Sequence, residues 1–184
     1  MSLPAPLRAV MPLFNFFQLA YVVDDIDRGT DEMTRLYGID RFRVSREVAI
    51  QTADGSAQLH FALAFVGALQ IELIQPAGGA DGAYRSALSS RSTAAQLHHV
   101  GHLIRSERNW RAAQRAIGQS GLSVPVSGTF AHANIALMHY AYVDTRASLG
   151  HLLEFMYQTT AGRALFADVP RFGARSRTSA AHHG

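Results

Sequence analysis

The sequence predicts an α+β fold: two tandem βαβββ modules forming a cupped, mostly antiparallel sheet with helices on its outer face. Two observations lead there. The order strand, helix, three strands occurs twice, with the openings Gln18-Leu-Ala-Tyr-Val-Val and His99-Val-Gly-His-Leu-Ile 81 residues apart. The order is also not the alternating strand-helix pattern of a doubly wound parallel sheet.

The first module spans 14–76. Its opening strand leads into a helix over Asp25 to Tyr37, with Ile26, Met33, Leu36 and Tyr37 near helical spacing. Asp25 is the expected N-cap and Gly38 the expected stop. Strands follow over Phe42 to Ile50, Ala57 to Val66 and Leu69 to Gln75, with turn signals at Asp54-Gly55 and Gly67-Ala68. The second module spans 97–158. Its helix runs over Glu107 to Gln119, with Trp110, Ala113, Ala116 and Ile117 on one stripe. Ser106 caps it, and Gly118 and Gly121 end it. The strands Ser123 to Phe130, Asn134 to Val143 and Gly150 to Tyr157 complete the repeat. Residues 77–96 read as a linker with a short helix around Tyr84 to Leu88, and 1–13 as an N-terminal extension. Residues 159–184 read as a solvated basic tail, because Arg163, Arg171, Arg175 and Arg177 gather there.

Composition narrows the function classes. Of 184 residues 48% are apolar, enough to fill a core. There is no cysteine, so disulfides, thiolate metal sites and cysteine nucleophiles are excluded together. The net charge is only +3, and no basic-aromatic motif accompanies it, so nucleic acid is not an expected partner. The longest apolar stretch, Phe61 to Ile74, is broken by Gly67, Gln70 and Glu72. No membrane partner is expected, and a cytoplasmic location is. His182 and His183 are left out of any ligand argument.

Two residues stand out chemically. Glu72 and Glu154 each sit inside an apolar strand, the last of their module. Burying such a carboxylate costs several kcal/mol unless it is paired or metal-bound. Gln18 precedes Glu72 by 54 residues, and His99 precedes Glu154 by 55. A pseudo-twofold packing of the modules brings first and last strands to the centre, where Gln18, Glu72, His99 and Glu154 form a sulfur-free donor set. It suits a divalent ion with open positions, whether zinc, nickel, cobalt, manganese or iron(II). His98 and His99 are adjacent, so regular alternation sends His98 to the helix side or toward a neighbouring chain.

The chain resembles the vicinal oxygen chelate superfamily, which includes glyoxalase I, methylmalonyl-CoA epimerase, extradiol dioxygenases and bleomycin-resistance proteins. The resemblance covers about residues 14–158. It rests on Gln18-Leu-Ala-Tyr-Val-Val-Asp-Asp, Ile71-Glu-Leu-Ile-Gln-Pro76, Leu97-His-His-Val-Gly101, and Asp144-Thr-Arg before Leu149-Gly-His-Leu-Leu-Glu154. It implies a metal at the centre of the cup on the four residues named, chelated by substrate oxygens. It also implies proton transfer by a glutamate, Glu154 or Glu72, next to a carbonyl. An isomerase, epimerase or lyase is the expected activity, the glyoxalase I and epimerase-like members being closest in look. The alternatives are a metal-free small-molecule binder of the bleomycin-resistance kind and an extradiol-type dioxygenase. Gln18 disfavours the latter, because such enzymes use two histidines and a carboxylate. His60, His139, Tyr140 and Arg146 are further candidates for substrate contact. The expected partners are a small molecule with an apolar portion and a second copy of the chain, since exposed strand edges favour pairing.

Overall fold

A computed structural model describes residues 2–88 and 95–173. Within each module the strands follow the expected order. The first has β1 (Asn15–Val22), β2 (Arg43–Thr52), β3 (Gly55–Val66) and β4 (Leu69–Gly79). The second has β5 (Gln96–Ile104), β6 (Val126–His132), β7 (Ile135–Val143) and β8 (Leu152–Gln158). β1 pairs parallel with β4 and β5 parallel with β8, while the other ladders among these eight strands are antiparallel.

The modules join edge to edge through β1 and β5. The far edges also meet, where Thr52 of β2 pairs with Val126 of β6. The cup is therefore closed into an eight-stranded ring in the order β2-β6-β7-β8-β5-β1-β4-β3. Among the described residues that far ladder holds one pair, so the ring closes where β2 ends and β6 begins.

The helices are stopped where their flanking residues dictate. After α1 (Ala5–Val10), α2 (Ile26–Tyr37) starts at Asp25, whose carboxylate accepts from the Arg28 amide, and ends at Gly38 with φ 69°. The linker carries the short helix α3 (Gly82–Arg85). α4 (Glu107–Ser120) starts at Ser106, which accepts from the Asn109 amide, and ends at Gly121 with φ 71°. Both long helices bury their apolar stripe against the outside of the ring. Ile26 and Met33 meet Ala62, Ala64 and Leu73, while Trp110, Ala113 and Ala116 meet Ala141, Val143 and Phe155. A third core lies inside the ring, around Phe17, Leu63, Tyr84, Tyr142 and Met156.

Both flanking segments pack on the ring, and the second departs from the sequence expectation. The N-terminal extension forms α1, and Leu7 is fully buried in the core beneath α4. The expected solvated tail is packed over its first part. A 3-10 turn at Ala161–Ala164 approaches β7, and β9 (Arg171–Phe172) adds in parallel to the end of β3. The apolar residues Leu165, Phe166 and Val169, lying between the arginines, explain this: Val169 is buried and Phe166 packs on Phe17. Arg175, Arg177, His182 and His183 lie outside the described residues. Among the described residues, no helix is long and apolar enough to cross a membrane.

Candidate metal centre

Two cross-strand rows meet at the centre of the ring. In one, Glu154 lies beside Gly101, which lies beside Gln18. In the other, Glu72 lies beside Ala20, which lies beside His99. Each of Gln18 and His99 thus faces a small residue of the other module. Those small residues stand two positions after the ligand of their own module, so the pseudo-twofold relation is exact in register. All four side chains belong to one chain.

The β1–β5 ladder is irregular on both strands. Register skips Phe17 between Phe16 and Gln18, and it skips His98 between Leu97 and His99. The two extra residues also stand 81 apart. A bulge suspends the alternation of side chains, so His98 does not turn to the helix side. It is buried, its Nδ1 lies 2.9 Å from Nδ1 of His99, and its ring stacks on Tyr84. The expectation of opposite faces fails for this reason.

The bulge also sets a tautomer. Nε2 of His98 lies 3.1 Å from the Ala83 carbonyl, which can only accept, so Nε2 carries the hydrogen. Burial, with His99 beside it, lowers the pKa of His98 to about 3 and keeps the ring neutral. Its Nδ1 therefore accepts from Nδ1–H of His99, and the other nitrogen of His99 is turned to the centre. There Nε2 lies 3.2 Å from Gln18 Oε1, 3.2 Å from Glu154 Oε2 and 3.4 Å from Glu72 Oε2. Gln18 is held by a further residue: its Nε2 donates to Gln70 Oε1 at 2.8 Å, which leaves Oε1 facing His99.

The electrostatics follow from burial and crowding. Burial lowers the basicity of His99, but the Glu154 and Glu72 carboxylates outweigh it and raise the pKa to about 9. Burial raises the pKa of Glu72, against the pull of His99. Among the described residues, no three His, Asp or Glu side chains already frame an open coordination centre. The oxygens converge on Nε2 itself, as around an imidazolium. Yet the donor set fits a divalent ion. Bonds of about 2.1 Å place neighbouring donors about 3.0 Å apart in an octahedron and about 3.4 Å in a tetrahedron. The observed separations are in that range, and a dication would take the place of the proton.

The centre opens into a cavity of about 120 Å³ whose walls include Ile50, Phe61, Phe130, Met138, Tyr140 and Met156. Tyr142 and Tyr84 also line it and hydrogen-bond to one another through their hydroxyls. Burial raises the pKa of both phenols well above the ordinary value, so they remain protonated. Of the four further candidates, only Tyr140 lines this cavity. His60 is on the other face of β3, where its Nδ1 accepts from the Glu47 amide. His139 packs beside Trp110 and Tyr157, which also touch one another, on the outside, and Arg146 pairs with Asp144. Sequence reasoning missed Gln70, Tyr84 and Arg43. Gln70 had a signal, since it shares the strand face of Glu72 two residues on. Tyr84 had none, because a linker carries no periodicity.

Comparison with known proteins decides the family. A model described as the Glyoxalase/Bleomycin resistance protein/Dioxygenase superfamily matches residues 17–142. The chain belongs to this superfamily, the vicinal oxygen chelate superfamily. No match is found among curated proteins. Solved structures share its fold at low identity. A hypothetical protein from Bacillus halodurans C-125 is 15% identical, with TM-score 0.53, covering 79% of this chain and 95% of its own. A Streptomyces coelicolor methylmalonyl-CoA epimerase variant with bound 2-nitronate-propionyl-CoA is also 15% identical, with TM-score 0.53, covering 81% and 97%. A methylmalonyl-CoA epimerase bound to methylmalonyl-CoA and NH4+ is 16% identical over the same shares, with TM-score 0.53.

Proposed function

We propose that this superfamily member is a metal-dependent isomerase, epimerase or lyase that moves a proton next to a carbonyl. The observation that carries the reading is the convergence of three side-chain oxygens on Nε2 of His99, inside a cavity with apolar walls. A divalent ion on Gln18, Glu72, His99 and Glu154 would supply a Lewis acid for the substrate carbonyl.

The residues of the chain do the rest. Gln70 and His98 hold Gln18 and His99 in the orientations described. The buried apolar wall excludes water from the reacting carbon. Glu72 is the proposed base, because burial raises its pKa toward the working range of a proton acceptor. It takes the proton from the carbon beside the carbonyl through its carboxylate oxygen. Glu154, whose Oε2 lies 3.2 Å from the same Nε2, is the proposed proton donor: in its protonated form it gives its own proton to the enolate, and Glu72 keeps the abstracted one until it exchanges with solvent. Tyr142, beside Glu154 on β7, offers a neutral hydroxyl donor.

The test is exchange of the α-proton of 2-oxo acids and acyl thioesters with deuterated water, followed by NMR. Metal-loaded protein is expected to exchange the proton of at least one class, and Glu72→Gln to abolish exchange. A second reading, a metal-free binding protein, is favoured by one observation: protonated His99 already pairs with both carboxylates in place of a metal ion. Tight binding without exchange in the presence of metal would select it.

A further inference from the structure

Among the described residues that line the cavity, Arg43 is the one arginine or lysine. It opens β2, and alternation with Ser45 turns it inward. Its guanidinium is fixed from one side only. Nη1 donates to the Leu165 carbonyl at 2.7 Å and to Asp168 at 2.5 Å, and the guanidinium carbon lies 6.0 Å from the centre of the Phe166 ring. The segment that closes over the ring thus anchors this side chain. Nε is buried and, among the described residues, has no hydrogen-bond partner. Leaving such a donor unpaired costs stability, more for a charged group than for a neutral one. Asp168 is 70% exposed, so solvent weakens its hold on the guanidinium charge.

The register gives the distance to the centre. Arg43 pairs with Leu63, and Leu63 pairs with Glu72, so the three stand in one row across adjacent strands. Two strand spacings separate Arg43 from Glu72, roughly 10 Å between their backbones. Both side chains face the cavity, and the apolar Leu63 lies between them.

The geometry points to Arg43 as the residue that selects substrates bearing a carboxylate, set a few carbons from the oxygens held at the His99 centre. The guanidinium edge that carries the unpartnered Nε matches the two oxygens of a carboxylate. Leu63 and Phe166 shelter the carbon chain between the two ends. The substrate class is a short acid with an oxygenated head, an apolar middle and an anionic tail. The head of this description rests on the proposed metal centre, whereas the tail rests on Arg43 alone.

The test compares 2-oxoadipate with 2-oxohexanoate, which differ by the distal carboxylate. Affinities are measured by calorimetry on the full chain, with and without Mn²⁺. Wild-type protein is expected to prefer 2-oxoadipate by about tenfold or more, the scale of a charge-assisted hydrogen bond. Arg43→Met is expected to reduce that preference, read as the ratio of the two affinities within the variant, to less than about twofold. Arg43→Lys keeps the charge without the two-pronged edge and is expected to lose most of the preference. It decides the matter if the Met variant does not fold. Equal or undetectable binding of the two acids by wild type overturns the inference, as does a preference that survives in the variants. Mn²⁺ binding is read in the same titrations. Its absence counts against the metal centre, while the carboxylate preference is still read without metal.

Discussion

Gly101 stands directly opposite Gln18 in the β1–β5 ladder, and a β-carbon on it would lie 2.9 Å from Oε1 of that glutamine. The missing side chain is what lets the amide oxygen reach the centre. Gly101→Ala is therefore expected to displace Gln18 and weaken divalent-ion binding by about 10-fold to 100-fold, as loss of a supporting contact does. Calorimetric titration with Zn²⁺ or Mn²⁺ checks this. The backbone of Gly101 does not lie in the left-handed region, so the fold is expected to survive, with an unchanged circular dichroism spectrum.

His98 should behave as a positioning residue. His98→Phe retains the ring against Tyr84 but removes the acceptor for Nδ1–H of His99. Metal affinity is expected to fall by about tenfold. A purely structural role would lower the melting temperature and leave the affinity of the folded protein unchanged.

His102 makes the protein acid-sensitive. The ring is buried beside Phe16 and Phe155, and neither nitrogen has a partner among the described residues. Burial, then His151, lowers its pKa to about 4 from an ordinary 6.5. The unfolded chain takes up the proton first, so the neutral ring's contribution is intact above pH 6.5 and is lost as pH falls from 6.5 toward 4. That difference corresponds to about 3 kcal/mol. Denaturant melts across this window are expected to show a shallower decline for His102→Leu. Parallel curves for the two proteins would contradict the assignment.

The helix caps, the repeat and the two strand glutamates were legible because each depends on near neighbours in sequence. Asp25 and Gly38 frame α2, and Ser106 and Gly121 frame α4, through local hydrogen bonds and backbone sterics. The role of His98 was not legible, because periodicity assumes an unbroken ladder and the bulge sits on that residue. Nor was the pairing of Thr52 with Val126, a single contact between strands far apart in sequence. The packing of Phe166 against Phe17 is of the same kind: arginines dominate the composition around it, and the apolar residues between them decide its fate.

That packing has a narrow point. A β-carbon on Gly162 would fall 1.8 Å from the Leu137 carbonyl oxygen. Gly162→Ala is expected to lift the segment after β8 from β7 and to destabilise the protein by about 2–4 kcal/mol, as steric conflict in a packed region does. Limited proteolysis is expected to cut near residues 159–170 in the variant and to spare wild type. Equal resistance of both proteins would show that the segment does not depend on the close approach of Gly162 to β7.

Gln18, Glu72 and Glu154 gather around Nε2 of His99, and these four side chains are the proposed metal centre. The most direct measurement is the metal content of protein purified without chelators and titrated with Mn²⁺ or Zn²⁺, for wild type, His99→Ala and Glu154→Ala. One divalent ion per wild-type chain is expected, with affinity reduced by at least about 100-fold in both variants. No stoichiometric ion in wild type, or equal binding by His99→Ala, would contradict it.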